Sequence, residues 1–168
     1  MRIYLPSTLQ ELVGEPTTTG RLAVGPRPAH AVTPQLERAL ADPADGDEPL
    51  DAEELEFAAL LAAADDSLVL IAQTPDVPWQ RTVVALDVPD DAVVVVDEPE
   101  VAPSSVRLTR ELGALPLASV HVDERDAAVV VESVLGGDEA ALETLADLDL
   151  LWYGPTELAQ IPGLPAPD

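Results

Sequence analysis

The sequence predicts an α/β fold: a single domain with a mixed sheet of about five to six short strands and packed helices, the alternative being an α+β two-layer sandwich. Three observations predict it. Short valine-rich apolar runs alternate with helical patterns along the chain. Residues 57–71 carry one apolar stripe at helical spacing: Phe57, Leu60, Leu61, Ala64, Leu68 and Ile71. The length of 168 residues fits one domain, and a chain of that size buries roughly 70% of its unfolded surface without needing disulfides or a structural metal. The domain is expected over 1–162, with a Pro-rich tail over 163–168 that frays.

The elements follow in order. Residues 2–5 read as a strand, and a short helix follows over 8–13. Residues 14–28 are rich in Pro, Gly and Thr and read as loop. "AHAV" at 29–32 is a short strand; Thr33-Pro34 then supplies a helix cap and a proline at the first helical position. An acidic breaker spans 41–51, and Asp51 with Glu54 opens the striped helix. "TPDVPWQ" at 74–80 ends it. Residues 81–88 read as a strand, 89–91 as a turn and 92–96 as a return strand. Short strands are expected at 106–108 and 118–122. Asp123 is placed to cap a helix over 124–135, Gly136-Gly137 stops it, and Asp138 caps another to about Asp147. "LLWY" at 150–153 is the last strand, followed by a helix over 156–161.

Two stretches echo each other: "YLPSTLQEL" at 4–12 and "YGPTELAQI" at 153–161. Both read as a strand that ends at proline and turns into a helix capped by Ser7 or Thr156. The echo predicts that 2–5 and 150–153 share a sheet, with Pro6 and Pro155 at equivalent strand ends and Tyr4 near Tyr153. A phosphate cradle at these helix starts would call for glycines and a lysine. The turns carry proline instead, and the chain has no lysine.

Composition excludes several chemistries. There is no cysteine, hence no disulfide, thiolate metal site or cysteine nucleophile. Thirty-two acidic residues face eight arginines, for a net charge of −24. That balance disfavours direct contact with nucleic acid and with anionic membranes. It suits a basic protein partner, while codon bias and adaptation to salt account for the same acidity without one. No signal-peptide pattern opens the sequence and no apolar run approaches the ~18 residues of a membrane span, so a cytoplasmic location is expected.

The segments "MRIYLPSTLQEL", "HAVTPQLERAL", "EELEFAALLAAA", "VVALDVPD", "SVHVDE" and "LLWYGPTEL", in that order, resemble an uncharacterised actinobacterial family known only as a domain of unknown function. The resemblance implies one domain and a cytoplasmic location, and it implies no activity and no site residues. It departs from the pattern where Ala39-Leu40 stands in place of an aromatic pair.

The candidate chemistry centres on two histidines. Strand alternation puts His121 on one face with Ser119 and Asp123. Asp87 holds a comparable place in "VALDVP", and His30 precedes another strand-to-helix turn. If His121, Asp123, Asp87 and His30 meet at the carboxyl ends of the strands, they suit a metal-assisted, hydrolase-like reaction. No cofactor motif is present; for such a site the dense carboxylates favour Mg²⁺ or Ca²⁺. The plainer reading gives His121 a structural hydrogen bond and Asp123 a helix cap. Ser7, His121 and Asp123 could compose a nucleophilic set, but no G-x-S-x-G elbow is present. Glu53, Glu54 and Glu56 suit a solvated helix start. Trp152 reads as core and Trp79, in a proline-flanked loop, as an exposed contact residue. The leading expectation is a non-catalytic acidic domain that works by protein–protein contact.

Overall fold

The computed structural model describes residues 1–41 and 50–166. Most of the acidic breaker predicted over 41–51, and the last two residues of the tail, lie outside the described residues.

Eight strands form one sheet: β1 (Arg2–Ser7), β2 (Arg21–Val24), β3 (Pro28–His30), β4 (Thr82–Asp87), β5 (Val93–Val95), β6 (Ser105–Leu108), β7 (Leu112–Val122) and β8 (Leu151–Tyr153). Their order is β2-β7-β4-β1-β3-β6-β5, with β8 also on β7. Every pairing is antiparallel, so the expected mixed sheet of five to six strands is corrected on both counts. The reason lies in β1. Helices α2 (Pro34–Leu40) and α3 (Ala52–Gln73) carry the chain from β3 to β4. Those two strands run parallel, as a helical crossover requires, but β1 is inserted between them and pairs antiparallel with both.

The strand count was short because 14–28 is not all loop. It holds one helical turn, α1 (Glu15–Thr19), and β2. Pro16 opens that turn and Gly20, at φ 65°, closes it. Nor does 92–96 return along β4. Asp90–Ala92 forms a 3-10 turn and β5 pairs with β6.

The sheet has a core on each face. One face lays Tyr4, Val83 and Ala85 against α3. The other buries Ile3, Leu5, Val84, Leu86 and Val120 with Leu9, Leu12, Leu158 and Ile161. Each such side chain withdrawn from water contributes roughly 1.5–3 kcal/mol. The buried stripe of α3 differs from the predicted one. Ala59, Ala63 and Ser67 sit at its centre, while Phe57 and Leu61 are exposed. Small residues let the helix approach the sheet. Ser67 Oγ uses that proximity, donating to Ser7 O at 2.8 Å and accepting from Thr82 N at 2.9 Å. Helices α4 (Ala128–Leu135) and α5 (Glu139–Ala146) close a third cluster around Leu68, Ile71, Val131 and Leu145.

Three predicted caps are present. Thr33 Oγ1 accepts from Leu36 N, Asp51 Oδ1 from Glu53 N, and Asp138 Oδ1 from Ala140 N. The echo is partly fulfilled. Both segments share the sheet, but Pro6 is inside β1, opposite Val83, rather than at its end. It fits there because β1 meets β3 only at Tyr4↔His30. Continuing that register sets Pro6 against Pro28, where neither can donate and the ladder stops. The helix starts also differ. Ser7 Oγ bonds Glu11 rather than capping, and the predicted helix over 156–161 is a single 3-10 turn, Leu158–Gln160. Tyr4 packs against α3, while Tyr153 packs on the opposite face, so the two are not neighbours. The tail is pinned at its start: Gln80 Nε2 donates to Pro162 O at 2.9 Å, and Leu164 packs on the core.

Candidate binding cleft

The four histidine and aspartate candidates do not converge. Asp123 follows β7 and is buried. Its carboxylate takes Arg81 Nε at 2.9 Å, an Arg81 terminal nitrogen at 2.7 Å and Arg81 N at 2.8 Å. It therefore caps no helix; the following segment opens as a 3-10 turn with no side-chain cap. The bidentate pair saturates the lone pairs that a metal would need. Asp87 stands at the end of β4, opposite Arg2 and bonded to it at 2.8 and 2.9 Å. That guanidinium holds the Asp87 carboxyl below its ordinary range, and the same bond raises Arg2.

His30 is buried, with both ring nitrogens engaged: Nδ1 with Ser104 Oγ at 2.8 Å and Nε2 with Asp66 Oδ2 at 3.1 Å. A carboxylate only accepts, so Nε2 donates to Asp66. Serine, histidine and aspartate thus do meet, though not the residues proposed for that role. Ser104 is only 1% exposed, so no substrate reaches its hydroxyl, and the set ties the loop before β6 to β3 and α3.

The strand-end rule fails for a topological reason. Ligands gather at carboxyl ends in parallel sheets, whereas antiparallel strands put their carboxyl ends on alternate edges. Among the described residues no group of three or more His, Cys, Asp or Glu is placed to hold a metal ion.

His121 stands apart from the other three. It lies opposite Val83 and Trp152, and its Nε2 is 3.1 Å from Ser119 Oγ. Burial pushes its pKa below the ordinary 6.5. It lines a cleft of about 260 Å³ between the start of α3 and the β7–β8 edge. The polar wall is Tyr4, Glu53, Glu56, Ser119 and Arg2; the apolar wall is Phe57, Leu60 and Trp152. The Tyr4 hydroxyl donates to Glu56 Oε2 at 3.0 Å; burial, then that carboxylate, raises the phenol pKa well above its usual value. Phe57 and Leu60 are also walls of a second cleft of about 390 Å³, which runs on to Leu148, Asp149 and Leu150.

The cleft's aromatic residues are its least expected feature. Trp152 is 60% exposed and Phe57 53%, although the apolar pattern of the sequence predicts both in the core. β8 is three residues long and pairs only with β7, so nothing among the described residues covers its outward position. Gly154 helps to seat the indole: a Cβ there would stand 3.2 Å from a Trp152 ring atom. Trp79 is exposed as expected, though less so, at 39%.

A family model matches residues 1–161. The chain belongs to DUF6912, a family of unknown function. The matched span includes the cleft, β8 and Trp152. No curated protein and no solved structure matches the chain. No described helix is long and apolar enough to cross a membrane.

Proposed function

We propose that this member of the family works by non-catalytic protein–protein contact, and that the cleft between α3 and β8 receives an arginine or lysine side chain from a basic segment of the partner. The observation that carries this reading is the exposed pair Phe57 and Trp152 beside Glu53 and Glu56 in one cleft. Aromatic faces attract a cation through their quadrupole, by about 0.5–2 kcal/mol. Carboxylates on the same wall add a charge-assisted bond. Tryptophan is also among the residue types enriched in interface hot spots. The net charge of −24 steers basic partners toward the chain.

The metal-assisted alternative finds less support. Of its carboxylates, Asp123 is committed to Arg81 and Asp87 to Arg2.

The test is a titration of an arginine-bearing peptide, Gly-Arg-Gly-Arg-Gly-amide, against its glutamate counterpart, followed by calorimetry. Saturable binding is expected for the arginine peptide alone, weakening as salt rises. Trp152→Ala should weaken it at least tenfold, since hot-spot truncations cost about 2 kcal/mol or more. Equal affinity in wild type and Trp152→Ala would reduce the effect to general attraction by an acidic surface and remove the reading.

A further inference from the structure

At the far end of the sheet from β8, no strand among the described residues pairs with the outer side of the edge strand β5. Ala92 O accepts from Thr109 N and Val96 N donates to Ser105 O. Antiparallel alternation then turns Ala92, Val94 and Val96 toward β6, and Val93 and Val95 outward. The Val93 amide is used by Asp90 O. The Val93 carbonyl and both Val95 backbone groups face away from the sheet. Natural edges are blunted by brevity, charge, proline or a bulge, and the three-residue β5 has the first two but neither proline nor bulge. β5 is Val93-Val94-Val95 in unbroken register with β6, and Val94 and Val95 are exposed.

Two observations say what would cover this edge. The chain leaving β5 enters a cleft of about 270 Å³ that includes Val96, Asp97, Glu98 and Gln35. Gln35 Oε1 is buried there with no hydrogen-bond partner among the described residues, an acceptor for which they supply no donor. The cleft's one arginine among the described residues, Arg38, turns its Nε to Pro34 O. Exposed carboxylates flank the strand at both ends: Asp90 and Asp91 before it, already paired with the N-terminal amine and Arg110, and Asp97, Glu98 and Glu100 after it. A second copy of this chain would bring the same charges against them. An extended segment bearing lysine or arginine would complement them and supply the missing donor.

We propose that β5 takes an extended basic segment of another protein as an added antiparallel or parallel strand, with a cationic side chain reaching the cleft at Gln35, Asp97 and Glu98. Main-chain bonds to Val93 and Val95 would carry affinity, and the acidic flanks would select the partner. This site is separate from the cleft at Trp152, so one chain would hold two basic segments on opposite edges of its sheet.

The substitution that tests it is Val95→Pro. Because the Val95 amide faces outward, proline removes the donor offered to the partner without breaking a bond to β6. The full chain is titrated with a labelled Lys-Val-Lys-Val-Lys-Val peptide and with its Glu-Val counterpart, by anisotropy and by amide shifts. The lysine peptide should bind saturably, shift the amides of 93–98, and bind Val95→Pro at least tenfold more weakly at an unchanged melting temperature. Asp97→Asn with Glu98→Gln should weaken it and flatten its salt dependence. Equal binding of both peptides, or equal binding to Val95→Pro, would overturn the inference. Shifts confined to 151–153 and α3 would overturn it too while leaving the Trp152 reading intact. A concentration-dependent dimer abolished by Val95→Pro would also overturn it, since the occupant would then be a second copy.

Discussion

His121 and Asp123 are two residues apart, on and just beyond β7, yet their surroundings are opposites. Asp123 is 1% exposed and meets a guanidinium in a bidentate pair plus a backbone amide. Arg81, its partner, also donates to Leu148 O. His121 has a single serine contact and opens onto a cleft whose aromatic wall faces solvent. Strand alternation assigns both to one face, and it is blind to what stands opposite. Arg81 precedes β4 and Trp152 sits on β8, and those neighbours decide that one residue is locked in an ion pair and the other lines a cleft.

Breaking the Arg81–Asp123 lock should give the largest effect. Asp123→Ala leaves a buried guanidinium without its carboxylate, and the expected loss is about 3–5 kcal/mol of stability by denaturant titration. His121→Ala should cost far less, about 1–3 kcal/mol, since only one hydrogen bond and partial burial are lost. Near-equal costs would erase the comparison.

A smaller effect comes from pH. The folded-state pKa of His121 lies below 6.5 because burial disfavours its charged form. The unfolded chain therefore binds the proton first as pH falls. Stability is fully present above about pH 6.5, and it declines as pH drops through the interval down to the folded value. Binding of a cation should weaken over the same interval, because protonated His121 adds positive charge beside Arg2 while Glu53 and Glu56 line the same cleft. His121→Gln should flatten both profiles. A wild-type profile level between pH 7 and 5.5 would contradict the burial of His121.

How much of this was legible in the sequence depended on distance along the chain. The caps at Thr33, Asp51 and Asp138 were legible because each acts on an amide two or three residues away. The strand β1 was legible from the apolar run Ile3-Tyr4-Leu5, and β4 from its valines and leucine. β2 was hidden by the Thr, Pro and Gly that precede it, and the length of β7 by Gly113 and Pro116 within it. Antiparallel pairing was not legible, because nothing local announces that β1 inserts between β3 and β4. The site was half legible. His121, a candidate for metal-assisted chemistry, lines a cleft, but with other companions than Asp123, Asp87 and His30. Phe57 was assigned to the core because large side chains dominate a stripe, while Ala59 and Ala63 made the real contact. Trp152 reads as core from the apolar run "LLWY", yet it is exposed. Glu56 and Tyr4 come together from residues 52 apart in sequence, and Asp66, His30 and Ser104 from three separate elements.

The central claim is that the Trp152 cleft binds and the Asp123 lock only holds the fold. One paired measurement tests it most directly: thermal melting and arginine-peptide affinity, read together on Trp152→Ala and Asp123→Asn. The account predicts that Trp152→Ala melts close to wild type and binds at least tenfold more weakly. It predicts that Asp123→Asn melts well below wild type, and that the fraction still folded binds with wild-type affinity. A Trp152→Ala protein that melts early and binds normally would contradict it, because Trp152 would then be part of the structural core and the cleft would have no role in binding.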